Sequence, residues 1–216
     1  MSAGPHPAPG SNRTLSVFRS AGDAADWLEK AAIREGALRE GEVVPDFELI
    51  NATGNVVGVQ TLLDHGPVVI VFTLGCRSAL CRCSLCALQG RLTEITALGA
   101  SLVALTPDPP AVSRTLVRKL ALGFELLDDR TGRLAALFGI AYRPPIAMDD
   151  WLALLGLEGP AAWPPRDVPV PAAFVVTSDG VVRLAHVRSD PRPRVSPTDV
   201  LEILATLSRG PFPSAW

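Results

Sequence analysis

Apolar residues in this chain gather in short β-branched runs that alternate with stretches of helical period. The clearest run, Pro67-Val-Val-Ile-Val-Phe72, is continuous rather than alternating, the pattern of a strand buried on both faces. Upstream, residues 47–50 and 56–59 flank Asn51-Ala-Thr-Gly-Asn55 and predict a hairpin, with a helical turn over 60–64. Downstream, a loop over 73–80 containing Gly75 leads into a helix expected over 81–98. A strand (101–105), a helix (110–122) and a strand (124–127) follow, then a helix over 131–138 ended by Gly139. Prolines open the helix at 110, where the first turn tolerates them. Residues 172–177 and 181–187 flank Ser178-Asp-Gly180, a strong hairpin signal, and Ser196 opens a last helix over 197–207. Strands and helices that alternate and then close in an antiparallel hairpin predict an α/β fold, with a mixed central sheet and helices on both faces.

The two ends and one internal stretch depart from this rhythm. Residues 1–15 are polar, rich in Pro and Gly, and expected to be disordered. A helix is expected over 23–38, capped by Ser20 or Asp23, with Trp27, Leu28, Ala31 and Ile33 forming a partial apolar face. The chain therefore divides into residues 1–40, a disordered N-terminus plus helical extension, and a domain over 41–210. An insertion over 143–170, rich in Pro, Trp and Asp, interrupts the domain; it has one helical piece near 148–155. Its Trp151 and Trp163 are candidates to line a cleft, form a homodimer contact or cap the core.

Composition narrows the function. The chain has 216 residues, 48% of them hydrophobic, and a net charge of −2. It is a folded protein, with no basic stripe for nucleic acid and no apolar stretch long enough to span a membrane. The N-terminus lacks the apolar segment of a secretory signal, so the expected location is cytoplasmic.

The candidate chemistry lies in the four cysteines, Cys76, Cys81, Cys83 and Cys86. In a reducing compartment such a cluster points to redox chemistry or metal binding. They fall where a buried strand ends and a helix begins. Unpaired N–H groups and the helix dipole there stabilise a thiolate, and Cys81 is best placed to use them. Ser78 is a candidate N-cap or hydrogen-bond donor to the thiolate or a bound oxygen. Four soft ligands would also suit Zn²⁺ or Cu⁺. However, Cys81 and Cys83 are two apart on a helix and point to different sides, so no bound metal or cofactor is expected. His6, His65 and His186 show no ligand spacing, and the latter two read as structural.

Phe72-Thr-Leu-Gly-Cys-Arg-Ser78-Ala-Leu-Cys81 resembles the active-site stretch of peroxiredoxins of the alkyl hydroperoxide reductase/thiol-specific antioxidant family, in which Thr or Ser precedes the peroxidatic cysteine by three. Gly41-Glu-Val-Val-Pro-Asp-Phe47, Leu105-Thr-Pro-Asp108, Leu127-Asp-Asp129 with Leu137-Phe-Gly139, and Pro171-Ala-Ala-Phe-Val-Val176 with Asp179-Gly180 resemble further family segments in the right order, over roughly residues 41–208. The resemblance implies a thioredoxin-like fold and a thiol-dependent peroxidase. In that reading Cys81 attacks a hydroperoxide and becomes a sulfenic acid, and Ser78 helps orient the peroxide. Cys86, five residues on, is the resolving cysteine of an intrachain disulfide that a thioredoxin-like reductant opens. Five residues of intact helix span about 7.5 Å, beyond the ~7 Å limit for a disulfide, so the first turn must unwind. Cys83 and Cys86 would pair with less distortion. Resolution, relay of the disulfide and simple packing are the three roles open to Cys83.

The pattern departs from the family at two places. Leu74 stands where Pro is usual. Pro171 stands where many members have an Arg that supports the thiolate; with Pro there, the chain resembles a peroxiredoxin-like subgroup whose site reads RGGWCPYC. Arg77, Arg82 and Arg143 are candidates to replace that Arg; Arg192 and Arg194 have no assigned role. Two alternatives therefore stand beside the peroxidase. One is a thiol–disulfide oxidoreductase or specialised pathway enzyme on the same fold; the other, more remote, is a Cys-cluster metal-binding protein.

Overall fold

The computed structural model describes residues 36–75, 78–142, 167–187 and 195–208. A hairpin comes first, β1 (Glu48–Ile50) with β2 (Val56–Gly58), followed by a short helix α1 (Val59–Leu63) and the strand β3 (Val68–Phe72). Next come α2 (Ala79–Gln89), α3 (Leu92–Ala97), β4 (Ser101–Thr106), α4 (Pro110–Leu120), β5 (Glu125–Asp128) and α5 (Arg133–Leu137). A small ribbon, β6 (Ala141–Tyr142) with β7 (Val168–Pro169), precedes the closing unit of β8 (Ala172–Val176), β9 (Val182–Val187) and α6 (Pro197–Ser208).

The central sheet runs β5-β4-β3-β8-β9. β3, β4 and β5 are parallel, while β8 and β9 join antiparallel. This is the expected mixed sheet of a thioredoxin-like fold. All five residues of β3 are buried, because alternate side chains of a central strand enter cores on opposite faces. Val68, Ile70 and Phe72 join one core with Phe138 and Phe174. Val69 and Val71 join the other, with Leu85 and Leu88 of α2 and Val200, Leu201 and Leu204 of α6. The first core holds a ring cluster in which Phe138 lies 4.9 Å from both Phe72 and Phe174.

One expectation needs correction. The helix expected over 81–98 is two helices, α2 and α3, and it begins earlier, at Ala79. Ser78 supplies the cap three residues before the expected start. Gly90, whose N–H bonds back to the carbonyls of Cys86 and Leu88, closes α2, as the low helix propensity of glycine favours. The two ends of the expected insertion are joined by strand pairing. Val168 and Pro169 pair with Tyr142 and Ala141, and the Val170 N–H donates to the Ile140 carbonyl at 2.8 Å. Backbone pairing thus ties the two ends of the insertion together and delivers Pro171 to the start of β8. Residues 143–166, with the expected helical piece and both tryptophans, lie outside the described residues.

The expected N-terminal helix lies mostly outside them as well. At its end Ala37 is buried and the Leu38 N–H donates to the Phe138 carbonyl at 3.0 Å. Gly139 permits this contact: its φ is +66°, and a Cβ there would fall 1.8 Å from the Gly36 carbonyl oxygen.

Candidate active site

The site forms where β3 hands over to α2, at the carboxyl end of the parallel strands, the usual location of sites in open α/β sheets. Thr73 leaves β3 with both its N–H and its hydroxyl donating to the Leu105 carbonyl, at 3.0 and 2.8 Å. The loop therefore stays against β4. Gly75 follows with φ +135°, a conformation that L side chains rarely adopt, and a Cβ there would meet an Asp108 carboxylate oxygen at 3.1 Å. Asp108 is held by the Thr106 hydroxyl, which donates to it at 2.8 Å. The end of β4 thus buttresses the loop that enters α2.

Ser78 is fully buried and caps α2, its hydroxyl accepting from the Cys81 N–H at 3.4 Å. The Ser78 carbonyl accepts from the Arg82 N–H at 3.0 Å. Cys81 therefore sits in the first turn, and no acidic residue in that turn opposes the positive end of the helix. Cys81 is 1% exposed. With Leu85 and Leu88 it forms the buried stripe of α2, the i, i+4, i+7 spacing of one helix face.

A pocket of about 20 Å³ opens at Cys81, lined also by Thr73, Ser84, Pro171, His186 and Val195. Cys81 and His186 are its two titratable lining groups. Of the sequence candidates, the fold brings Cys81 and Ser78 together. It places Cys83 and Cys86 on the exposed face of α2. Cys76, Arg77 and Arg143 lie outside the described residues, as do Arg192 and Arg194, and Arg82 is not among the pocket lining. Among the described residues no three His, Cys, Asp or Glu gather as metal ligands, and no helix is long and apolar enough to cross a membrane.

His186 is the pocket residue that sequence reading treated as structural. Counting outward from the hairpin pair Val176 and Val182 places Ala185 opposite Ala173. A bulge between Val175 and Val176 shifts the register, so that His186 faces Ala173 instead. One residue of slip exchanges the faces of a strand, and here it turns His186 toward α2. The hairpin signal carries no trace of that bulge.

Comparison with known proteins agrees with this geometry. The sequence profile of the AhpC/TSA family matches residues 41–185. A Mycobacterium tuberculosis protein named as a peroxiredoxin is 30% identical over 103 residues, which cover 48% of this chain and 67% of that protein. Among solved structures, peroxidoxin BcpB from M. tuberculosis superposes with a TM-score of 0.63 at 23% identity, over 79% of this chain and 98% of that one. Peroxiredoxin Q from Xanthomonas campestris gives 0.60 at 16% identity, over 75% and 91%. The family match, the mixed sheet and the cysteine at the start of α2 lead to one assignment: the chain belongs to the AhpC/TSA family, as a thioredoxin-fold peroxiredoxin-like enzyme with thiol peroxidase or oxidoreductase activity.

Proposed function

We propose that this enzyme reduces hydroperoxides through Cys81 and resolves the oxidised cysteine within the same chain through Cys86. The Cys81 thiolate attacks one peroxide oxygen, the O–O bond breaks, and the other oxygen leaves as water or an alcohol after taking a proton. Ser78 orients the first turn that carries the thiolate. The Cys86 thiol condenses with the Cys81 sulfenic acid, releasing water and forming a disulfide. A thioredoxin-like dithiol then reduces that disulfide and is itself oxidised.

One observation carries the reading. Cys81 lies in the capped first turn of α2, almost fully shielded, at a small pocket. Shielding favours a two-oxygen substrate over a protein disulfide at this sulfur. The resolving step requires movement, because Cys81 and Cys86 are separated by about 7.5 Å of helix rise. The first turn of α2 must open before they can join.

The test couples peroxide consumption to thioredoxin, its reductase and NADPH. Turnover in the wild type that Cys81→Ser abolishes supports the reading, with two thiols lost per peroxide when the donor is absent. No consumption above the Cys81→Ser background ends it. A second reading, thiol–disulfide exchange without peroxidase activity, is favoured by one feature. Pro171, where many family members carry an Arg, forms part of the pocket wall beside Cys81. Turnover of a small disulfide without turnover of peroxide would select it.

A further inference from the structure

α2 presents its cysteines on two faces. Cys81 is 1% exposed and lies on the stripe of Leu85 and Leu88, whereas Cys83 and Cys86 are exposed. At about 100° and 1.5 Å per residue, Cys81 and Cys86 are separated by roughly 140° and 7.5 Å. By the same geometry Cys83 and Cys86 are separated by roughly 60° and 4.5 Å. The exposed pair are thus i, i+3 neighbours, with Cβ atoms about 5–6 Å apart in regular helix. Closing them to the roughly 4 Å of a disulfide needs only a local tightening. A Cys81–Cys86 disulfide instead breaks the Ser78 cap and pulls Cys81 from its pocket.

We propose that Cys83 and Cys86 form the disulfide in which oxidising equivalents from Cys81 come to rest, with Cys83 as the relay nucleophile. The proposal builds on the peroxidase reading. After Cys86 has captured the Cys81 sulfenic acid, the Cys83 thiolate attacks the Cys86 sulfur. The Cys81–Cys86 bond breaks, the Cys83–Cys86 bond forms, and Cys81 leaves as a thiolate; the proton lost by Cys83 passes to solvent. No electrons are gained or lost in this exchange. α2 then rewinds, restoring the hydrogen bonds from the Cys81 and Arg82 N–H groups to Ser78. The oxidised pair now lies on the solvent face, where a dithiol protein reaches both sulfurs, and the shielded site is ready for another peroxide.

The test is a rapid-quench time course with one equivalent of hydrogen peroxide, followed by disulfide mapping. In the wild type a Cys81–Cys86 disulfide should rise and decay into Cys83–Cys86, with Cys81 again a thiol. Cys83→Ser should stop at Cys81–Cys86 and be reduced by thioredoxin roughly tenfold more slowly. A wild-type product that stays Cys81–Cys86, or contains Cys76, overturns the proposal. A parallel oxidation with diamide separates the two failures. Diamide giving Cys83–Cys86 while peroxide gives nothing removes the peroxidase reading and keeps the exposed pair as the resting disulfide. A diamide product containing Cys81 or Cys76 removes the exposed pair.

Discussion

The inner and outer faces of α2 carry the same residue type in opposite environments. On the inner face Cys81, Leu85 and Leu88 are buried against β3 and the closing hairpin. On the outer face Cys83 and Cys86 are open to solvent. What separates them is helical phase, not sequence distance, since Cys81 is closer in sequence to Cys83 than Cys86 is. The inner face is shielded and capped by Ser78, whereas the outer face is open to solvent. Substitutions on each face should therefore fail in different ways.

The largest expected effect is on the inner face. Cys81→Ser should lower peroxide turnover by on the order of a thousandfold or more, because the covalent step is lost. Steady-state kinetics will measure it, and residual turnover within tenfold of wild type would shift the nucleophile to another cysteine. Leu85→Ala comes next. Leu85 is fully buried, so the change should destabilise the fold by about 2–5 kcal/mol. Cys83→Ser on the outer face should alter stability by no more than about 0.5 kcal/mol. Urea unfolding of the pair tests the asymmetry directly, and equal losses would contradict it.

Gly75→Ala perturbs the entrance to the inner face. A side chain at φ +135° against the Asp108 carboxylate should introduce roughly 1–3 kcal/mol of backbone strain. Alkylation of Cys81 by iodoacetamide should change rate while that of Cys86 stays constant; parallel changes at both would mean the loop does not govern one face. Ser78→Ala removes the cap on the Cys81 N–H and should lower stability by about 1 kcal/mol, read as a fall in the urea midpoint.

The smallest effect is remote from both faces. The hydrogen bond from the Thr177 hydroxyl, more than any other cause, holds the Asp179 carboxyl below its usual range. A lowered folded-state value stabilises the protein above the unfolded-state pKa, and the contribution is lost as pH falls through the folded one. Because Asp179 is exposed, Asp179→Ala should change stability near neutral pH by at most about 0.5 kcal/mol. The change should vanish in acid and leave cysteine alkylation untouched, as thermal melts against pH would show.

Much of the architecture was legible in the chain because its signals are local. The continuous run at β3, the Ser178-Asp-Gly180 turn and the Pro-opened α4 each report a short-range preference of the backbone. Cys81 and Ser78 were legible for the same reason, three residues apart across a strand-to-helix junction. Where reading failed, the causes were one local helix break and pairings between distant segments. The break between α2 and α3 falls at Gly90, beside a contact in which the Gln89 side chain accepts from the Gly123 N–H at 2.7 Å. The β6–β7 ribbon joins residues far apart in the sequence, Ala141 to Pro169 and Tyr142 to Val168 being the pairs, with little local pattern to announce it.

By itself, then, the sequence determined the strand and helix alternation, the placement of a cysteine at a capped helix start, and the phase that sets Cys83 beside Cys86. All of these follow from periodicity and from preferences within a few residues. The tertiary structure decided which face of α2 is buried and that Asp108 of β4's loop buttresses Gly75. It also decided that a bulge turns His186 into the pocket of Cys81. The reason is physical: burial and register depend on what the other strands and helices present, and a one-residue shift between β8 and β9 exchanges the faces of a strand without leaving a mark in its own sequence.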